Sequence, residues 1–159
     1  MSELAGIDGG ELATHLLRSA CTDLVMRYAT YVDAQAWDEL FALLPDDCVW
    51  TRPASEPMVG PAEARAFFEQ TRARRELANP HGALQRHNVT SVRVDPIDDA
   101  NAEATWYAIV FQDDAWSGQL PAPMRDPYLV VEYRTAFRRT ARGWQISRHD
   151  ARHVFRRED

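Results

Sequence analysis

Tyr128-Leu129-Val130-Val131-Glu132-Tyr133-Arg134-Thr135-Ala136-Phe137-Arg138-Arg139 reads as one long strand. Leu129, Val131, Tyr133, Thr135 and Phe137 form one row; Val130, Glu132, Arg134 and Ala136 form the other. That alternation is what a pleated strand with one buried face imposes. The same reading extends to both sides. Val89 to Val94 is a strand that stops at Asp95-Pro96, and Ala102 to Gln112 is a second, with Thr105, Tyr107, Ile109 and Phe111 on one face. Trp144 to Phe155 is the last strand, after a turn at Thr140-Ala141-Arg142-Gly143. Between Gln112 and Tyr128 lies a Gly/Pro-containing loop, Asp113 to Pro127, of a length typical of lids and interface segments.

The first half of the chain has a different period. Leu17, Cys21, Leu24, Tyr28 and Val32 recur at spacings of four and three, predicting a helix from Leu12 to about Asp33. A short second helix, Trp37 to Leu44, carries Asp38 and Glu39 in its first turn, where the helix dipole favours negative charge. Pro45-Asp46-Asp47 breaks it, and Cys48-Val49-Trp50-Thr51 begins as a strand. Gly60-Pro61 opens a third helix that runs to about Leu77. Helices followed by long antiparallel strands predict an α+β fold. Three N-terminal helices should cover one face of a curved antiparallel sheet, a cone that encloses a pocket.

At 159 residues the chain is expected to form a single domain, 1–159, with an ordered core from about 12 to 155. The first ten residues and the charged tail Arg156 to Asp159 read as flexible ends. Lys and Arg total 18 against 24 Asp and Glu, a formal net charge of −6, which argues against nucleic-acid binding. The Arg72 to Arg75 cluster is expected to form a solvated helix face. Cys21 and Cys48 are distant and outside any CxxC motif, and no secretory signal or apolar run long enough to span a bilayer is present. Reduced thiols in a cytoplasmic protein, with no membrane association, are the expectation.

Asp33, at the end of the first helix, and His87, in Gln85-Arg86-His87-Asn88-Val89, are the residues most capable of chemistry. A carboxylate that accepts one imidazole proton fixes the tautomer and raises the basicity of the other nitrogen. Such a pair can remove a proton beside a carbonyl or return one to a leaving hydroxyl. Each also has an ordinary alternative: a surface Asp capping a turn, and a strand histidine bonded to backbone. Tyr28, Tyr31, Trp50, Tyr107 and Tyr133 are candidate pocket walls, and the tyrosine phenols, Tyr107's above all, could donate to a developing oxyanion; core packing is the ordinary alternative for each. Arg148 shares an alternating row with Trp144 and Ile146 and so is a candidate inward charge, with a surface or dimer salt bridge as the reading to beat. His149 and His153 lie about 13 Å apart on a strand, too far to share an ion, and with His81 in a loop no metal site is expected. Serine or cysteine nucleophile motifs and phosphate-binding glycine loops are absent.

Several strings in order resemble the SnoaL-like branch of the nuclear transport factor 2-like superfamily. They are Arg27-Tyr28-Ala29 with Asp33, Trp37-Asp38-Glu39-Leu40, Asp47-Cys48-Val49-Trp50, the Gly60 helix start, His87-Asn88-Val89-Thr90-Ser91-Val92 and Gly143-Trp144-Gln145-Ile146. The resemblance implies a cone-shaped α+β barrel, commonly a homodimer, with a deep pocket for a small apolar molecule. It resembles scytalone dehydratase and a bacterial dehydrochlorinase, in which an Asp and a His work inside that pocket without a cofactor; Asp33 and His87 stand at the matching positions. Scytalone dehydratase has a further histidine on a later strand, and Tyr128 to Glu132 holds none. The expected function is therefore a cofactor-free dehydratase, isomerase or cyclase for a small, largely apolar oxygenated metabolite, such as a polyketide-like compound. The run from Arg86 to Val94 is also similar to the small β subunit of ring-hydroxylating dioxygenases. A non-catalytic subunit or ligand-binding protein is thus the alternative.

Overall fold

The computed structural model describes residues 8–158. The helices are α1 (Gly9–Ala34), α2 (Trp37–Ala42) and α3 (Gly60–Ala78). The strands are β1 (Val49–Thr51), β2 (Met58–Val59), β3 (Leu84–Pro96), β4 (Asn101–Asp113), β5 (Leu129–Thr140) and β6 (Gly143–Arg156). The expected leader splits here. Residues 1–7 lie outside the described residues, whereas Gly9 and Gly10 already belong to α1, whose first turn closes with the Leu12 amide on the Asp8 carbonyl at 3.0 Å. None of the described helices is long and apolar enough to cross a membrane.

All six strands form one curved sheet in the order β2-β1-β6-β5-β4-β3, with the N-terminal helices packed on it. The four long strands pair antiparallel, but β1 runs parallel to β6, so the sheet is mixed. Two-residue β2 has too little pattern to be read in sequence. It leads straight into α3 through Gly60, whose φ of +81° and 2.9 Å approach of a would-be Cβ to the Asp46 carbonyl demand glycine. β3 starts at Leu84, well before Val89, because Leu84 to Asn88 pair with Ile109 to Asp113 despite their polar side chains.

The inward row of β4 is Ala102, Ala104, Trp106, Ala108 and Val110, all buried, and Thr105, Tyr107, Ile109 and Phe111 form the outer row. On β5 the row containing Val131, Tyr133, Thr135 and Phe137 is the buried one, as its alternation requires. Trp106 stacks on Tyr133 with ring centroids 4.0 Å apart, and Tyr28 from α1 meets both rings edge-on. Trp50 and Phe68 close the other side of this aromatic floor.

A polar chain runs through that floor. The Trp106 indole N–H donates to Thr135 Oγ1 at 3.0 Å, and Thr135 Oγ1 lies 3.1 Å from His149 Nδ1. Burial, with Arg52's positive charge second, lowers the His149 pKa to about 3. The folded value lies below the ordinary 6.5, so the unfolded chain binds one more proton between about pH 3 and 6.5. Stability from this residue is complete above pH 6.5 and is lost as pH falls through that window. We expect His149→Asn to flatten the acid limb of a urea-derived stability profile by up to about 1.4 kcal/mol per pH unit. An unchanged slope would mean that His149 is not held neutral.

Candidate functional site

Asp33 occupies the last turn of α1, where a carboxylate faces the negative end of the helix dipole and needs donors. Those donors come from β3, the edge strand of the sheet. Asp33 Oδ2 accepts the backbone N–H of His87 at 2.7 Å, and Oδ1 lies 2.6 Å from His87 Nδ1. One carboxylate thus satisfies an edge amide and clamps the ring of the same residue. The Arg86 guanidinium adds a 3.4 Å bond to the Asp33 carbonyl. Both side chains are withdrawn from solvent, 4% exposed for His87 and 14% for Asp33. An ionised carboxylate can only accept, so Nδ1 carries the proton, and in the neutral ring it is Nε2 that holds the lone pair. Among the described residues Nε2 has no hydrogen-bond partner, which leaves it to meet a ligand.

The pair lines a cavity of about 470 Å³ between the concave sheet face and α1 and α3. Tyr28, Trp50, Phe67, Phe68, Val110 and Tyr133 supply its aromatic and apolar floor. Burial pushes the Tyr28 phenol well above the ordinary tyrosine range, with Tyr133's phenol beside it adding to the shift, and burial raises Tyr133 likewise. Both stay protonated and able to donate. The 113–127 loop reaches the cavity through Trp116, which shares its lining. Asn79, capping α3, ties this loop down by donating to the carbonyls of Asp114 and Trp116 at 3.0 and 2.9 Å. Gly118 lies against the His81 ring, which a Cβ would meet at 2.7 Å.

The structure therefore brings together Asp33, His87, Tyr28, Trp50 and Tyr133. Three expected residues lie elsewhere. Tyr107 belongs to the outer row of β4, 38% exposed, with its hydroxyl toward Glu132 on the same outer face. Tyr31 turns sideways on α1, where Arg27 bonds its hydroxyl and covers its ring. Arg148 is on the surface, bonded to Asp150 at 2.6 Å. A β-bulge at Ser147, which has no partner between the pairs Phe137–Ile146 and Ala136–Arg148, reverses the alternation of β6. His149, Ala151 and His153 consequently face inward, and His153 lines the cavity. Burial, with Arg52 next, lowers the His153 pKa.

Sequence reading also missed the arginines of the cavity. Arg52 follows β1, and Arg75 projects from α3 to the side-chain oxygens of Gln85 and Gln112 at 3.2 and 3.1 Å. The Arg72 to Arg75 cluster is thus only partly a solvated face. Its period on α3 could have flagged Arg75, one turn beyond Thr71 and two beyond Phe68. For Arg52, placed by the three-residue parallel pairing of β1 with β6, there was no signal.

A family model described as a SnoaL-like domain matches residues 13–150. Among solved structures, an NTF2-like protein with a cystatin-like fold from Novosphingobium aromaticivorans is 22% identical, covers 94% of this chain and 92% of its own, and superposes with a TM-score of 0.72. Hexachlorocyclohexane dehydrochlorinase from Novosphingobium barchaimii is 15% identical over 92% of each chain, with a TM-score of 0.71. A candidate scytalone dehydratase from Novosphingobium aromaticivorans is 14% identical over 92% of this chain and 90% of its own, with a TM-score of 0.72. At these identities the likeness is one of fold. No curated protein sequence matches the chain.

The clamp geometry is open to direct measurement. In ¹⁵N-labelled protein at pH 8, His87 should show a protonated Nδ1 whose hydrogen exchanges slowly. Asp33→Ala should abolish that signal, speed exchange of the His87 amide and cost about 1–3 kcal/mol of stability by orphaning two donors. An Nε2–H tautomer in the parent protein would contradict the assignment.

Proposed function

The chain belongs to the SnoaL-like domain family, and on that premise we propose that it is a cofactor-independent lyase or isomerase that works by proton abstraction and return. The observation that carries this reading is the Asp33–His87 clamp, at 2.6 and 2.7 Å, set into the wall of the cavity. His87 Nε2 removes a proton from carbon next to a substrate carbonyl, and the Asp33 carboxylate stabilises the imidazolium that forms. Tyr28 and Tyr133, held protonated, donate to the enolate oxygen. The imidazolium then returns its proton. Delivered to a departing β-hydroxyl, it completes dehydration; delivered to another carbon, isomerisation; an enolate that attacks an internal carbonyl closes a ring. The cavity volume suits a small oxygenated metabolite.

Imine chemistry is not an alternative route at this site, because the chain contains no lysine. A subunit or carrier would need neither a fixed tautomer nor a buried base. The hexachlorocyclohexane dehydrochlorinase and candidate scytalone dehydratase of similar fold support an eliminating enzyme at the level of reaction class. Unpaired, buried Cys21 and Cys48 support a reducing compartment, and the proposal places the enzyme in the cytoplasm. With a verified substrate, Asp33→Asn and His87→Gln should each lower kcat at least about a hundredfold while leaving the fold intact. Full turnover by either folded variant would refute the mechanism.

Homodimerisation is part of the proposal, through the outer face of the sheet. Ile109, Val130 and Phe155 stand side by side across β4, β5 and β6, flanked by Tyr107, and Phe155 is 69% exposed. A row of this kind is suited to a second copy of itself. Sedimentation should give twice the chain mass, and Phe155→Asp combined with Val130→Asp should halve it. A monomeric parent protein would remove this element of the proposal.

A further inference from the structure

The charge of the cavity runs against the charge of the protein. In a chain of net charge −6, the lining holds Arg52, Arg72, Arg74, Arg75 and Arg156 against two carboxylates, Asp33 and Glu76. Asp33 is engaged by His87, and Glu76 is bonded to Arg72 at 2.6 Å. Arg75 rests on two neutral amides, and Arg156 donates to the Tyr128 hydroxyl. Arg52 has only aromatic company. Its guanidinium carbon lies 5.1 and 5.7 Å from the ring centres of Phe67 and Phe68, with no carboxylate within ion-pair distance among the described residues.

A half-buried guanidinium without a counter-charge is costly in a folded protein unless something else supplies the charge. Its backbone is fixed in place. Both the amide and the hydroxyl of Ser55 bond the Arg52 carbonyl, at 3.3 and 3.2 Å. The ring contacts hold the planar fork as well, leaving its N–H edges for a planar bidentate partner. Arg52 follows short β1, beyond β6 in the sheet, and His87 lies on β3 at the opposite edge, yet both line one cavity.

We propose that the substrate is a small carboxylate, anchored at its anionic end by Arg52 while its reacting carbon is presented to His87. This rests on the acid/base reading of the cavity for its second half only; the anion site stands on Arg52. The carboxylate completes the charge that the fold leaves unbalanced, and the phenyl walls of Phe67 and Phe68 cover the adjoining carbon atoms. The substrate is accordingly a carboxylic acid with an apolar body.

Benzoate, cinnamate and 3-phenylpropionate, each against its primary amide, serve as probes in calorimetric or NMR titrations at pH 7.5. At least one acid should bind about tenfold or more tightly than its amide. Arg52→Gln should reduce that preference to less than about threefold, Arg52→Lys should retain part of it, and surface Arg148→Gln should leave it unchanged. No acid preference in the parent protein, or a preference that survives intact in folded Arg52→Gln, overturns the proposal. His87→Gln separates the two readings. Lost turnover with retained acid preference supports both; lost turnover with no acid preference in the parent overturns only the anion site. Retained turnover with an Arg52-dependent preference overturns only the acid/base mechanism.

Discussion

The carboxylate of Asp33 joins the end of the longest helix to the free edge of the sheet, and the geometry of the cavity follows from that junction. An aspartate in a helix's last turn opposes the dipole, and an edge strand leaves amides without partners. Each defect is answered by the other: Oδ2 takes the His87 amide and Oδ1 takes its ring. The chain leaves α1 immediately afterwards through Gln35, in the left-handed region at φ 54°, so the helix ends where its carboxylate is anchored. The imidazole is therefore oriented by the same contact that closes the fold, and its reactivity is inseparable from that closure.

Around this junction the interior sorts its polar groups by protonation state. Tyr28 and Tyr133 are kept neutral by burial, and so is His149, pressed between their rings. These groups furnish hydrogen bonds and no charge. The positive field originates in arginines on the cavity's helical wall and after β1, with the aromatic floor between them and the sheet. A low-dielectric floor beneath a cationic wall concentrates that field in the cavity.

Much of this was legible in sequence. The change from a period of 3.6 to a period of 2 located the helices and long strands, and the resemblance placed Asp33 and His87 at one site. Tyr28, Trp50 and Tyr133 line the cavity, on rows that are mostly apolar in sequence. Tyr107 was assigned inward because β4 is apolar on both faces, and alternation gives the rows without saying which row is buried. Arg148 failed for a different reason. Its row was extrapolated through Ser147, where the strand carries one residue more than its partner, and no residue type announces such a bulge. Arg52 depends on a parallel pairing between β1 and β6, distant in sequence, which local pattern does not encode.

The bulge at Ser147 has a sequel at Val154, also unpaired, which restores the original phase of β6. Between the two, inward and outward residues are exchanged relative to a regular strand. Any relative whose last strand lacks both features is two residues shorter there and needs one gap opposite Ser147 and a second opposite Val154. A gapless alignment anchored before Ser147 is displaced by one residue from Arg148 to His153 and by two beyond Val154, where the inward and outward phase again looks sound. It would transfer a pocket role to Arg148 and strip it from His149 and His153. Inherited function along this strand is therefore traced by register, residue against residue across the ladder, and not by position in the chain.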